Sequence, residues 1–221
     1  MFKTELHCHS NDISACAKVG TKEIIDTFVN AGYSSLVLAN HLNSWTVDNI
    51  CPNDWNGFVD KYYDAYEKLK KDAEGKLNIL FGAELRFNGS NNDYLVFGMT
   101  KEFLYEHADI FDLHAEKFHN LAKENNMLFI QAHPFRNWMM VIEPRMVDGV
   151  EVFNGHFGHD SRNEIADMWA EKYNLIKTSG TDFHYNDSPA NGGIFTEKEI
   201  TSMEQLVEVL KSGNYTLNRQ Y

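Results

Sequence analysis

The sequence predicts an α/β fold, a small or incomplete (β/α) barrel in one domain over residues 1–221. Three observations carry this. Short apolar runs of β character alternate with helical runs, which implies mostly parallel strands joined by crossover helices. Metal-ligating side chains fall at the C-terminal ends of those apolar runs, the rim on which barrel active sites sit. The glycine-rich phosphate loops that mark many doubly wound open sheets, the alternative fold, are missing: there is no GxGxxG and no GxxxxGK followed by Ser or Thr. About seven strands are found, and a full eight-fold barrel typically needs ~250 residues, so 221 residues suit a reduced one.

The elements follow in order. Phe2 to His9 is the first strand. Thr21 is placed to cap a helix whose Ile24, Ile25, Phe28 and Val29 form one apolar stripe, ended by Gly32. Ser35 to Ala39 is a buried strand. Asp54 to Glu74 is a long helix with Phe58, Tyr62, Ala65, Tyr66 and Leu69 on one side. Leu77 to Glu84 and Tyr94 to Met99 are strands. Ala115 to Asn125 is a helix, and Met127 to His133 a strand that Pro134 stops. Val147 to Phe153 is a strand, Asp160 to Lys172 a helix, Leu175 to Ser179 a strand. Ser202 caps a last helix running to Leu210. The richest turn segment, Asn88 to Asp93, is too short to separate domains.

Composition narrows the function. The chain is 43% hydrophobic and 24% charged, as soluble globular proteins are. Its formal net charge of −12 argues against long nucleic acids and against anionic membranes. A small phosphorylated substrate stays compatible, because a metal cluster inverts the field inside one cleft. No apolar run approaches the ~20 residues of a membrane helix, and the N-terminus has no apolar stretch resembling a signal peptide. Three cysteines (Cys8, Cys16, Cys51) without CxxC spacing give no disulfide framework, so a cytoplasmic location is expected.

The candidate ligands sit at strand ends. His7 and His9 close the first strand, and a strand puts i and i+2 on one face. Both imidazoles therefore aim at one point while Cys8 aims away. His41 follows the second strand, Glu84 ends the third and His133 ends MLFIQAH. Glu151 and Asn154 lie near the end of GVEVFN. Asp182 and His184 form a further i, i+2 pair after LIKTSG. These would converge only in a closed or nearly closed fold. Seven ligands (His7, His9, His41, Glu84, His133, Asp182, His184) exceed the four of one tetrahedral site, which predicts two or three divalent ions with Glu84 as the bridging carboxylate. All offer nitrogen or oxygen, which suits zinc, manganese or iron. Glu151 is read as a carboxylate that orients a histidine. His107, His114, His119, His156 and His159 are read as ordinary surface or hydrogen-bonded histidines, His156 being the one near the rim.

Taken together, H-C-H near the N-terminus, N-H after the second strand, G-A-E, A-H-P and G-T-D-F-H resemble the polymerase and histidinol phosphatase (PHP) domain family over roughly residues 1 to 190. The resemblance implies a distorted seven-stranded, TIM-barrel-like (β/α) barrel and metal-dependent phosphoester hydrolysis at a bi- or trinuclear site. It also implies that His7, His9, Glu84 and Asp182 hold one ion, that Glu84 and His133 share a second, and that His41 and His184 belong to a third. Three departures stand out. Ala39-Asn40-His41 replaces a threonine-aspartate-histidine motif. Only Asp12 could supply the ligand often found shortly after H-x-H. Asp93 lies where many members carry a histidine.

In the chemistry so implied, a metal-activated water attacks phosphorus in line and the ions neutralise charge on the phosphoryl oxygens. His41 or His184, if free of metal, would protonate the leaving group. Arg136 and, secondarily, Arg86 are candidate phosphate clamps. Two other readings remain at this point: an amidohydrolase-like C–N hydrolase, for which a strand-end lysine is wanting because Lys177 lies mid-strand, and a metal-binding regulatory module without turnover. Substrate choice is assigned to rim loops at Asn43 to Asn56, Asn137 to Pro144 and Gly155 to Arg162, with Trp45, Trp55 and Trp138 as candidates to stack on a ring.

Overall fold

The computed structural model describes residues 1–220. Its N-terminal half runs β1 (Phe2–Cys8), α1 (Thr21–Asn30), β2 (Ser35–Leu38), β3 (His41–Leu42), α2 (Ser44–Ile50), α3 (Trp55–Asp72), β4 (Asn78–Leu85), β5 (Tyr94–Phe97) and α4 (Lys101–Glu106). The rest is α5 (Ala115–Glu124), β6 (Leu128–Gln131), β7 (Gly149–Asn154), α6 (Asn163–Tyr173), β8 (Ile176–Gly180), β9 (Ile194–Thr196), α7 (Met203–Ser212) and β10 (Thr216–Leu217). Every strand and helix expected from the sequence is present, with ends shifted by a few residues. The five additional elements, β3, α2, α4, β9 and β10, are too short to show a period.

The sheet order is β10-β9-β1-β2-β4-β5-β6-β7-β8, with β3 extending the parallel edge of β4. Parallel pairing links β1 to β2, β2 to β4, β6 to β7 and β7 to β8. β5 departs from the α/β rule: it is antiparallel to both β4 and β6. The turn at Asn88 to Asp93 is too short for a crossover helix, so the strand after it must return. Beyond Gly180 the chain comes back onto β1. His9 N–H donates to the Phe183 carbonyl (3.1 Å), and Phe183 N–H donates to the His7 carbonyl (3.2 Å). This seam joins β1 to the segment after β8 in a nearly closed, distorted barrel, with β9 antiparallel to β1 and β10, which follows α7, antiparallel to β9.

Alternation along each strand divides the apolar residues between two layers. Ile79, Phe81, Ala83 and Leu85 face the helical layer that includes α3, whose buried Phe58, Tyr62, Ala65, Tyr66 and Leu69 are the predicted stripe. Leu80 faces inward with Leu6, Leu95, Phe97, Leu128 and Ile130, and α7 adds Leu206 and Leu210 to this inner cluster. Glu84 follows Leu80 on that inner face. The cap of α1 is Gly20 rather than Thr21: Glu23 Oε2 accepts the Gly20 N–H (3.1 Å), and the Thr21 hydroxyl is spent on Asp72 (2.7 Å). Gly32, at φ +77°, supplies the left-handed residue just after that helix.

Phe129 is the hub of the outer aromatic layer. It stacks on Tyr94 (4.4 Å between centroids) and touches Phe118 (4.9 Å) and Phe87 (6.2 Å). Phe129→Ala is expected to lower the unfolding free energy by about 3–5 kcal/mol, read from urea denaturation. A loss below ~1 kcal/mol would mean that this layer does not hold the sheet.

Candidate metal centre

The seam delivers five strand ends to one point. His7 and His9 leave β1 on the same face and are fully buried. Asp182 and His184 arrive from the segment after β8, Glu84 from β4, His41 from β3 and His133 from just past β6. His133 (φ +27°) and Asp182 (φ +50°) both adopt left-handed backbone, costly for a non-glycine residue. That backbone turns each side chain inward where a regular strand would continue. Gly180 is required at the seam, because a Cβ there would lie 2.4 Å from the Cβ of His7 and 2.7 Å from Glu151 Oε1.

Glu84 is the hub. Its Oε1 lies 3.1 Å from His133 Nε2 and 3.3 Å from His7 Nε2; its Oε2 lies 2.7 Å from His41 Nδ1 and 3.5 Å from His9 Nε2. Asp182 Oδ1 reaches His9 Nε2 (3.4 Å), His7 Nε2 (3.5 Å) and His184 Nδ1 (3.3 Å). All seven predicted ligands thus meet. Their donor atoms form three groups, each within 4.8 Å of one another: His7, Glu84 and His133; His7, His9 and Asp182; His9, His41 and His184.

Glu151 holds this arrangement without joining it. Oε1 pairs with His7 Nδ1 (2.9 Å), and Oε2 accepts the His133 backbone N–H (2.9 Å) and Asn154 Nδ2 (2.9 Å). Asn154 also donates to Asp182 Oδ2 (3.2 Å). With Nδ1 of His7 so engaged, Nε2 is the free ligand atom, the usual device for fixing a metal-binding imidazole. Ser14 does the same for His9, its Oγ lying 3.2 Å from Nδ1. Asn40, which stands where a carboxylate was expected, accepts from Ser10 N–H and the Ser14 hydroxyl and so braces that loop.

Divalent cations fit these residues. His7 Nε2, His9 Nε2 and Glu84 Oε2 are buried with no aligned hydrogen bond, although each faces several other donor atoms. Buried groups left so cost free energy unless something sits between them. Without cations, protons take over the neutralising role. Burial pulls His41 and His184 down, but for His41 the Glu84 carboxylate and Cys16, and for His184 Asp182 and Cys16, override it and push each to about 10. Burial opposes ionisation of Glu84 and Asp182 as well, yet the surrounding imidazoles hold both carboxyls well below their usual range. His9 is held low by burial and by its histidine neighbours.

Several side chains occupy places the sequence did not suggest. Cys16 Sγ sits 3.1 Å from Nε2 of both His41 and His184. Burial would raise its thiol, but those two imidazoles bring it down to about 6. Asp12, the residue of that loop with a carboxylate to offer, pairs with Lys68 (2.7 Å). His159, read as an ordinary loop histidine, puts Nε2 3.6 Å from Asp182 Oδ2 and stacks flat on His156 (4.6 Å, 4°). His119 keeps its ordinary role, bound to Asp148 and the Arg145 carbonyl. No periodicity marks Cys16 or His159, because loops place them.

The arginine candidates meet at Asp93. Arg86 grips it with two bonds (2.6 and 2.7 Å), and Arg136 Nη2 lies 3.3 Å away. Asp93 Oδ2 is 3.9 Å from His133 Nε2. Arg86 also lines a surface depression with Cys16, His41, Asn43, Thr46 and the exposed Trp45. Trp138 is exposed, whereas Trp55 donates to the Leu104 carbonyl and packs on Phe58 and Phe111, a structural role in place of ring stacking. Lys177 pairs with Glu171 and Asp167 and brings no lysine to the cluster.

The PHP domain family model matches residues 5–218. The chain belongs to the PHP domain family. Solved structures share the fold of this PHP chain. A two-domain protein from Bacteroides vulgatus, described as containing a predicted PHP-like metal-dependent phosphoesterase, is 16% identical over 99% of this chain and 65% of its own (TM-score 0.64). A putative metal-dependent phosphoesterase from Bifidobacterium adolescentis is 13% identical over 95% and 96% (TM-score 0.55). Endonuclease Q, in complex with a duplex substrate bearing an abasic lesion, is 15% identical over 96% of this chain and 56% of its own (TM-score 0.64). The chain therefore spans about two thirds of the first of these proteins and just over half of endonuclease Q. A search of curated proteins found no match.

Glu5, two residues before His7 on the same face, is fully buried, and its Oε1 accepts the backbone N–H groups of His7 and Thr181 (2.8 Å each). Burial pushes its carboxyl up to about 7. The folded state then keeps a proton that the unfolded state releases near pH 4.5, so stability falls as pH rises from there to about 7. In metal-free protein, the wild type is expected to lose roughly 3 kcal/mol across this window relative to Glu5→Gln, which cannot ionise. Urea titrations of both proteins at the two ends of the window measure it; parallel losses would refute the shift.

Proposed function

We propose that this PHP-family chain, taken as one domain, is a metal-dependent phosphoesterase acting on a small phosphorylated substrate. The observation that carries this is the convergence of seven nitrogen and oxygen donors around Glu84, several with buried ligand atoms that no hydrogen bond uses. The donor set suits two or three ions of zinc, manganese or iron. His7, His9, Glu84 and Asp182 would hold one, Glu84 and His133 a second, and His41 and His184 belong to a third. Such ions supply Lewis acidity, making a bound water acidic and neutralising phosphoryl oxygens.

The chain's own groups do the rest. Glu151 and Ser14 hold His7 and His9 in place, which pre-pays orientation. Arg86, half-buried in the depression beside His41, and Arg136, joined to the cluster through Asp93, are the guanidinium groups nearest to an anionic substrate there. Where no third ion holds them, His41 and His184 are candidates for proton donation to the leaving group. Both are turned onto Cys16, whereas His159 has an Nε2 without a hydrogen bond beside Asp182, so His159 joins them as a donor. The absence of any lysine among the clustered residues favours phosphate esters over C–N bonds.

The net charge of −12 disfavours long polyanions. The complex of endonuclease Q with a duplex substrate weakens that expectation, since it shows a nucleic acid on the same fold. No described helix is long and apolar enough to cross a membrane, and the free cysteines suit a cytoplasmic setting.

His133→Ala is expected to lower kcat on p-nitrophenyl phosphate or bis-p-nitrophenyl phosphate by about three orders of magnitude, with the circular dichroism spectrum unchanged. A chelator should abolish wild-type turnover, and added Mn²⁺ or Zn²⁺ should restore it. Turnover by the variant close to that of the wild type would overturn the assignment.

A further inference from the structure

Cys16 belongs to none of the ligand sets above, yet the fold takes trouble to place it. The loop from His9 to Gly20 folds back over the cluster, with Ser14 N–H donating to the Ser10 carbonyl (3.0 Å) and Asn11 N–H to the Val19 carbonyl (2.9 Å). Lys18 N–H donates to the His184 carbonyl (2.8 Å), and His41 N–H donates to Ser14 Oγ (3.0 Å). These bonds tie the loop to both histidines that Cys16 touches.

Three potential ligand atoms converge at this point. His184 Nδ1 donates to the Asp182 carbonyl (2.9 Å), which turns its Nε2 toward the sulfur. His41 Nδ1 lies 2.7 Å from the Glu84 carboxylate, which turns its Nε2 the same way. Both Nε2 atoms face one sulfur at 3.1 Å, an arrangement that two imidazolium protons and a thiolate satisfy in the metal-free protein and that one cation would satisfy in their place. His9 adds a second, independent sign. Its Nε2 is fully buried without a hydrogen bond and belongs to the same donor group as His41 and His184. A cation accepting from the sulfur and both nitrogens would take the place of those protons, next to the unused Nε2 of His9.

We propose that Cys16 is a metal ligand that joins His41 and His184 in a mixed sulfur–nitrogen site for a thiophilic divalent cation, zinc or ferrous iron, at the solvent-facing edge of the cluster. The assignment rests on the metal-centre reading and sharpens it: the position held by His41 and His184 differs in chemistry from the all-nitrogen-and-oxygen positions around Glu84. A thiolate donor favours zinc or iron there over manganese or magnesium. It also leaves one ion sensitive to reagents that attack thiols, because Cys16 is the exposed cysteine while Cys8 and Cys51 are buried.

Cobalt substitution of the full chain tests this without recourse to turnover. Cobalt-loaded wild type should show the near-ultraviolet sulfur-to-cobalt charge-transfer band, and Cys16→Ser should lose it while still binding cobalt at the Glu84 positions. Cys51→Ser should keep the band. In parallel, zinc should slow iodoacetamide labelling of Cys16 by at least tenfold, read by peptide mass spectrometry. A cobalt-loaded wild type without the band, a band that survives in Cys16→Ser, or labelling indifferent to zinc would each overturn the sulfur ligand while leaving the metal centre standing. Failure of the wild type to bind any cobalt would overturn both.

Discussion

Too many ionisable groups are buried in one place for this barrel to be electrically self-sufficient in a single obvious way. Asp182 and five imidazoles crowd around Glu84, and all of these side chains but that of His41 are at least nine-tenths out of water. An isolated buried charge costs several kcal/mol even after relaxation, so the cluster must be neutralised from within. Without cations, protons on the histidines accomplish this, which is why the carboxyls stay ionised and the outer imidazoles hold protons so tightly. Divalent ions would displace those protons and use the same lone pairs, so metal uptake and proton release are two sides of one equilibrium.

The scaffold exists to hold that crowd together. Register irregularities sit at the ends of β1 and β7, between Glu5 and Cys8 and between Glu151 and Phe153, where bulges commonly re-aim side chains. The seam between β1 and the segment after β8 brings H-x-H against D-x-H, and Gly180 lets the two backbones approach. Phe183, between Asp182 and His184, points the other way and meets Phe28 in the core (5.1 Å). One tripeptide thus anchors the barrel on one face and supplies the site on the other.

The strand-end residues were legible because a strand's twofold alternation fixes which side chains share a face, and because parallel strands deliver their C-terminal ends to one rim. That logic needs only local spacing, and the seven side chains it named, with Glu151 beside His7, are ones the fold brings together. It failed where position depends on loop conformation. Asp12 and Cys16 are four residues apart in one irregular segment, and only folding decides that Asp12 meets Lys68 while Cys16 meets two histidines. His159 was hidden for the same reason. The reversed direction of β5 was also invisible in its own residues, since an apolar run reads alike in either direction. The short turn preceding it was the available clue.

The convergence of Glu84, His133 and Asp182 on bound cations is the claim on which everything functional depends. Anomalous diffraction from a zinc- or manganese-soaked crystal containing phosphate tests it most directly. The account predicts at least two anomalous peaks within ~2.0–2.2 Å of these side chains, with Glu84 shared between two of them and the phosphate against the same ions. Crystals that take up metal only at surface sites, with Glu84 and its histidine neighbours keeping their direct contacts, would contradict it.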